Sequence, residues 1–271
     1  MISEMYDLSH TLAADYLKGF TYPWEALKGI KDMILELGKT LGEDYTEVST
    51  NVWVHKTAKV YPSAYLGAPC IIGADTEVRH CAFIRGSALV GEGCVVGNST
   101  EIKNAIIFDA VQIPHYNYVG DSILGYRSHM GAGSIASNFR SDKGNITLHM
   151  PDGDVETGLR KIGTMLGDFV EVGCNSVLCP GSIVGRNSIV YPLSRVRGVI
   201  PENSIYSAHA ALADLSTGKI IASRKADEVI YPASMTKVMT LIVVVENLPD
   251  EDCLKDEIVI SSDIYEQMKA E

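Results

Sequence analysis

Three residues in this chain stand out for the chemistry that their types and spacing allow. His115 lies in the run His115-Tyr116-Asn117-Tyr118-Val119-Gly120-Asp121. An imidazole that titrates near neutral pH is a natural proton acceptor. Arg85 and Lys103 are cations in an acidic chain, eighteen positions apart. Brought to one edge of a fold, they would clamp an anion such as phosphate. The plainer alternatives are a histidine filling a corner and two solvated charges. Which reading holds depends on the elements that carry these residues.

Those elements are set by a repeat. Val60, Leu66, Ile72, Val78, Ile84, Val90, Val96, Ile102 and Phe108 recur every six residues, with glycine following at Gly67, Gly73, Gly91 and Gly97. The register slips by one around His115, then resumes loosely at Val119, Leu124 and Met130. A second strict run follows at Leu166, Val172, Leu178, Val184, Val190 and Val196. Neither a helix nor a hairpin has a period of six. A parallel β-helix with three short faces does, since each six-residue unit supplies one strand and one corner. The aliphatic residue points inward, and glycines are expected at corners where φ turns positive. Eighteen residues then make one coil, which would stack Arg85 and Lys103 on one edge. The slip at His115 is the kind of local rule-breaking expected at a functional site.

Three other segments frame the repeat. Residues 1–50 read as a helical lead-in, with Pro23 at a first turn, Leu27, Ile30, Ile34 and Leu37 at helical spacing, and Gly38 as the stop. Residues 51–206 carry the repeat, interrupted at 137–164 by a polar, turn-rich loop with a hairpin signal at Asp152-Gly153. From 207 to 271 the pattern changes to strand, turn, strand and then a helix opening near Ser234.

Composition narrows the partners. Twenty-three basic residues against thirty-four acidic ones leave a net charge of −11, which argues against nucleic acid or an anionic membrane as partner. Apolar residues at 46% and charged ones at 21% exclude wholesale disorder. Six cysteines without a CxxC pair read as buried apolar groups or free thiols. The N-terminus lacks a secretory pattern and the longest apolar run, Leu241 to Val245, is too short for a bilayer. A cytoplasmic protein is expected.

The block His115 to Asp121, with Gly131-Ala132-Gly133 and Asn138-Phe139, resembles the left-handed β-helix acetyltransferase domain of the GlmU-type bifunctional enzymes. The resemblance covers roughly 54–205. The ending VRGVIPENSIY is more similar to a stand-alone hexapeptide-repeat branch often labelled sugar nucleotidyltransferase. Nothing resembles the glycine-rich nucleotide loop of the other GlmU half, so uridylyl transfer is not expected. The resemblance implies a mainly β, left-handed parallel β-helix and a homotrimeric, metal-independent acetyltransferase. That enzyme would move acetyl from acetyl-CoA to an amino-sugar phosphate, glucosamine-1-phosphate first. It gives His115 the role of catalytic base. Arg85 and Lys103 would bind phosphate, and Tyr118, His129 and Asn138 the sugar. Ala132, Cys174 and Tyr191 would meet acetyl-CoA. His129 stands where the family has Asn, Cys174 where it has Ser, and Pro114 where it has Gly.

The segment LADLSTGKIIASRKADEVIYPASMTKVMT resembles the start of a serine-type D-alanyl-D-alanine carboxypeptidase. Ser234-Met235-Thr236-Lys237 matches its S-x-x-K, in which a lysine one helical turn on activates the serine. No S-x-N or K-T-G element follows before Glu271. The segment therefore reads as an incomplete, vestigial peptidase. The repeat also admits a related acyl or sugar-nucleotide transferase acting on another acceptor, and two readings of other classes. One is a non-catalytic sugar-nucleotide-binding scaffold. The other is a zinc solenoid using His80, His115 and His129, whose spacings of 35 and 14 do not match the zinc family's pattern.

Overall fold

The hexapeptide repeat folds as the expected left-handed parallel β-helix. The computed structural model describes residues 1–150, 153–207, 210–214 and 219–224, the side chains of 149, 210–214 and 219–224 apart. Short strands stack coil upon coil on three faces. The first face runs from Val52–His55 through Cys70–Ile72 to Thr164–Leu166, Ser182–Val184 and Val199–Ile200. The second includes Tyr65–Leu66, Ile135–Ala136, Val177–Leu178 and Arg195–Val196. The third is an eight-stranded sheet that includes Glu77–Val78, Val95–Asn98, Gln112–His115, His129–Met130 and Glu171–Val172. Strands Phe83–Val90, Glu101–Ile107 and Tyr118–Leu124 bend through a corner and serve both the first and second faces.

The six-residue aliphatics form the interior. Val78, Val96, Ile113, Met130 and Val172 are stacked from coil to coil and buried, as are Ile84, Ile102, Val119, Ala136 and Leu178. Each Val, Leu, Ile or Met among them contributes about 1.5–3 kcal/mol by leaving water, before entropy is counted.

Register departs from the sequence reading at one place. Ile84 lies opposite Ile102, eighteen residues on, but Gly86 lies opposite Lys103, seventeen on. The missing residue is absorbed at Arg85, a bulge between the two pairs. The next coil keeps the shorter spacing, with Val96 opposite Ile113 and Val119 opposite Ala136. The slip thus begins at Arg85, more than a full coil before His115, and Lys103 stands across from Gly86 rather than Arg85.

The glycines also have a different reason from the one expected. The corners with positive φ are held mostly by other residues, among them Ser87, Asn104 and Asp121 at 50°, 45° and 50°. The repeat glycines instead lie where the next coil comes close. A Cβ on Gly97 would sit 1.5 Å from the Pro114 carbonyl oxygen, and one on Gly73 would sit 2.5 Å from the Gly91 backbone.

The N-terminal residues cover the first face. Pro23–Gly29 forms a 3-10 helix that continues into the α-helix Ile30–Gly38. Leu17, Trp24, Leu27, Ile30 and Ile34 share one buried cluster with Ile71, Leu89, Ile106 and Ile123 of that face. Buried Asp168 fixes the chain start, accepting from the backbone N–H of Asp7 at 2.7 Å and pairing with Arg186 at 3.0 Å.

The loop at 137–164 leaves and returns through a neck. Phe139 bridges Lys161, and the Ile162 N–H donates to the Asn138 carbonyl at 3.1 Å. Its hairpin of Thr147–Met150 and Gly153–Glu156 is antiparallel. Ile146 and Leu148 are buried against Gly181. Residues Met1–Ala208 form one compact unit and His209–Glu271 another. In the second, Ala210–Asp214 pairs antiparallel with Lys219–Arg224, the two strands expected there. Ser234 and Lys237 lie outside the described residues. Among the described residues no helix is long and apolar enough to cross a membrane.

Candidate functional site

A polar cluster sits where the second face turns into the first. Asp121, at a left-handed corner and nearly buried, accepts from Asn104 Nδ2 through Oδ1 at 2.8 Å and from Asn138 Nδ2 through Oδ2. Lys103 Nζ stands 3.3 Å from the same Oδ2, and both side chains are largely shielded. Arg85 is more exposed and donates to Glu101 at 2.7 Å. Asn104 also donates to the Leu27 carbonyl at 3.3 Å, so the N-terminal helix helps to fix this corner.

Tyr118 completes the cluster. Its hydroxyl folds back over Gly120, where a Cβ would meet it at 2.5 Å and Asn138 Nδ2 at 2.9 Å. Burial pushes the phenol above its usual value, helped by the charges of Asp121 and Glu101 and opposed by the Asn138 hydrogen bond and Arg85. Tyr118 therefore stays protonated, and a donor, across the range in which imidazoles titrate.

His115 ends the strand Gln112–His115 on the third face, opposite Asn98. Its side chain is exposed and has no hydrogen-bond or ion-pair partner among the described residues. The backbone is held firmly. Its N–H donates to Asn117 Oδ1 at 3.1 Å, and buried Asn117 donates in turn to the Gly131 carbonyl at 2.8 Å. Tyr116, at φ 51°, turns the corner to Tyr118. His115 and Tyr118 thus flank a single corner from adjoining faces, and Asp121 marks the far edge of the second face.

That corner carries further expected residues. The Gly133 N–H donates to the His115 carbonyl at 3.0 Å, the Asn175 N–H to Ala132 at 2.8 Å, and the Leu193 N–H to Cys174 at 2.9 Å. His115, Ala132 and Cys174 therefore lie on successive rungs of one edge, with Cys174 exposed and Tyr191 half-buried close by on the third face. His129 is not brought to the Tyr118 cluster within this chain. It lies on the third face, its Nδ1 2.8 Å from Glu171. Arg85 and Lys103 share the second face, but each is neutralised by its own acid. Among the described residues no group of three or more His, Cys, Asp or Glu could hold a metal ion. His80 instead faces Ser63 at 3.0 Å.

Sequence reasoning missed Asp121 and Glu101 as partners of the cations. The signal for Asp121 was present, since it lies eighteen residues beyond Lys103, one coil on. The Glu101 pairing was hidden by the bulge at Arg85.

Residues 197–271 match the D-alanyl-D-alanine carboxypeptidase family, Peptidase_S11. A bifunctional sugar-1-phosphate nucleotidylyltransferase/acetyltransferase of Sulfurisphaera tokodaii is 28% identical over 174 residues, 63% of this chain and 43% of that protein. A bifunctional protein GlmU of Methanococcus maripaludis is 31% identical over 178 residues, 65% of this chain and 43% of that protein. The chain therefore spans less than half the length of these relatives. Among solved structures, the acetyltransferase domain of PglB from Neisseria gonorrhoeae is 14% identical. It aligns with a TM-score of 0.31 over 70% of this chain and 74% of that one. Over its hexapeptide repeats the chain is thus similar to the GlmU-type bifunctional proteins, and over residues 197–271 to the D-alanyl-D-alanine carboxypeptidase family.

Proposed function

We propose that the β-helix is an acetyl-CoA-dependent acetyltransferase acting on an amino sugar that carries phosphate. The observation that carries this reading is the unpartnered, exposed imidazole of His115 one corner away from the Tyr118–Asn138–Asp121–Lys103 cluster. Bound acetyl-CoA supplies the acetyl thioester. The sugar amine forms the new bond to the acetyl carbon, His115 takes the proton that the nitrogen loses, and the carbon–sulfur bond breaks to release the thiol. Tyr118 and Asn138 orient the sugar hydroxyls. Lys103 and Arg85 face the sugar phosphate, drawing on bonds now made to Asp121 and Glu101. The edge of Ala132, Cys174 and Tyr191 lies along the donor's path.

The relative named as a bifunctional nucleotidylyltransferase/acetyltransferase supports the same reaction class. The proposed active assembly is a homotrimer, in which His129 would reach a neighbouring copy's site. The test is thiol release from acetyl-CoA with glucosamine-1-phosphate and other amino-sugar phosphates, on wild type and His115→Ala. We expect release by wild type and a loss of about 10²–10⁴-fold in the variant. No release with any amino-sugar phosphate, free or nucleotide-linked, would overturn the reading.

A further inference from the structure

The free cations of the second face are not where the phosphate clamp was expected. Arg85 and Lys103 are each paired with an acid. Arg195 and Arg197, two residues apart on the same side of the last coil of that face, have no ion-pair partner among the described residues. They line a cleft of about 490 Å³ between the coils and the 137–164 loop, together with Ser137, Phe139, Arg140 and Asp142. Arg140 and Asp142 are committed to each other at 2.9 Å, which leaves the cleft with the two charges of Arg195 and Arg197.

This cleft adjoins the candidate site through Phe139, which also lines the cavity at Asn104 and Asp121. Ser137 and Phe139 flank Asn138, the residue that donates to Asp121. Going up the face, Tyr118 pairs with Ile135, Ile135 with Val177, and Val177 with Arg195. Three rungs at about 4.8 Å each set the arginines roughly 14 Å from the Tyr118 rung. A ligand that touched both would be longer than a sugar monophosphate. Phe139 is 38% exposed and offers a flat surface of the kind on which nucleobases stack. Paired guanidinium groups match the oxygens of a diphosphate.

We propose that this cleft binds a nucleoside diphosphate moiety, with its phosphates on Arg195 and Arg197 and its base against Phe139. The acceptor of the reaction proposed above would then be a nucleotide-linked amino sugar rather than a bare sugar phosphate. The proposal rests on that reading for the sugar end, but the cleft can be tested without turnover. The nucleoside diphosphate of coenzyme A is the other source of the same chemistry. The acceptor is favoured because the cleft adjoins Asn138, whereas Ala132 and Cys174 lie on the opposite edge of the second face.

The experiment is calorimetric titration of UDP, ADP, desulfo-coenzyme A and inorganic phosphate into the full chain. The proteins are wild type, the double variant Arg195→Ser/Arg197→Ser, Phe139→Ala, and Lys39→Ser as a remote charge control. At least one nucleoside diphosphate should bind wild type and lose about tenfold or more in the double variant, with thermal unfolding unchanged. Phe139→Ala should weaken the nucleotide more than inorganic phosphate. Desulfo-coenzyme A binding and the Lys39→Ser control should not move. Absent nucleotide binding, binding indifferent to the two arginines, or phosphate binding as tightly as the nucleotide would overturn the proposal. A loss confined to desulfo-coenzyme A would assign the cleft to the donor and overturn the acceptor assignment. Thiol release with amino-sugar phosphates and nucleotide-linked amino sugars reports separately on the reaction, so the two failures are distinguishable.

Discussion

Lys103 and Asp121, eighteen residues apart, meet across one coil of the β-helix, with Nζ 3.3 Å from Oδ2 and less than a fifth of either side chain exposed. Asp121 is thereby the acid that organises the corner, since Asn104 and Asn138 spend their amide hydrogens on it as well. Removing one member of a shielded pair leaves the other charge uncompensated. Asp121→Asn should cost about 3 kcal/mol of stability by chemical denaturation. Lys103→Met combined with Asp121→Leu should cost clearly less than the sum of the two single changes. Strict additivity would mean that the pair does not couple.

Glycine substitutions should separate close approach from backbone conformation. Gly97→Ala forces a Cβ to within 1.5 Å of the Pro114 oxygen, in the strand that ends at His115. It should destabilise by roughly 3 kcal/mol or more and take any thiol-release activity with it. Gly93→Ala meets nothing within 4 Å and pays only for its φ of +61°, about 1–2 kcal/mol. Equal melting temperatures for the two variants would contradict this account.

The tyrosine hydroxyls make alkaline stability pH-dependent. Burial raises Tyr118, and raises Tyr6 more strongly, above the usual value of 10.0. An acid whose pKa rises on folding loses its proton first in the unfolded chain. Stability therefore falls as pH climbs from about 10 toward the folded value. In Tyr118→Phe that slope should be shallower but still present, because Tyr6 remains. Urea denaturation between pH 9 and 11 reads the difference, and identical slopes would remove Tyr118 from the explanation.

Thiol reactivity should follow burial. Cys70 and Cys94 are fully shielded, their thiols pushed up to about 12. Cys81 and Cys174 are exposed. At pH 8, a chromogenic disulfide reagent should modify Cys81 and Cys174 in the native protein, and Cys70 and Cys94 only after denaturation. Labelling of Cys94 in the folded chain, found by peptide mapping, would show that the coil opens locally.

The inward rungs were legible because burial imposes one aliphatic residue per strand with no competing requirement, as at Val78, Val96 and Met130. The lead-in helix was legible for the same reason, through Leu27, Ile30 and Ile34. His115 stood out by its residue type. Outward-facing residues obey no such single rule. The period implied that Arg85 and Lys103 stack, yet one bulged residue set Lys103 opposite Gly86 and gave each cation a different acid. Glycine was misread for a related cause, since a one-dimensional repeat does not reveal how close the next coil approaches. Arg195 and Arg197 carry no signal in the sequence, because the cleft that they line is closed by a loop more than thirty residues earlier in the chain.

The neck at Phe139 and Lys161 has a bearing on how this chain can change. Ile123 pairs with Met165 and Ala136 with Leu178, forty-two residues apart, as if the intervening excursion were absent. Residues gained or lost beyond the neck leave every rung where it was. A single residue gained or lost within a coil shifts the inward and outward sides of all that follows, as the bulge at Arg85 illustrates on a small scale. The β-helix is thus a rigid ruler, and the excursion is a place where the chain can be retailored without recutting the rest.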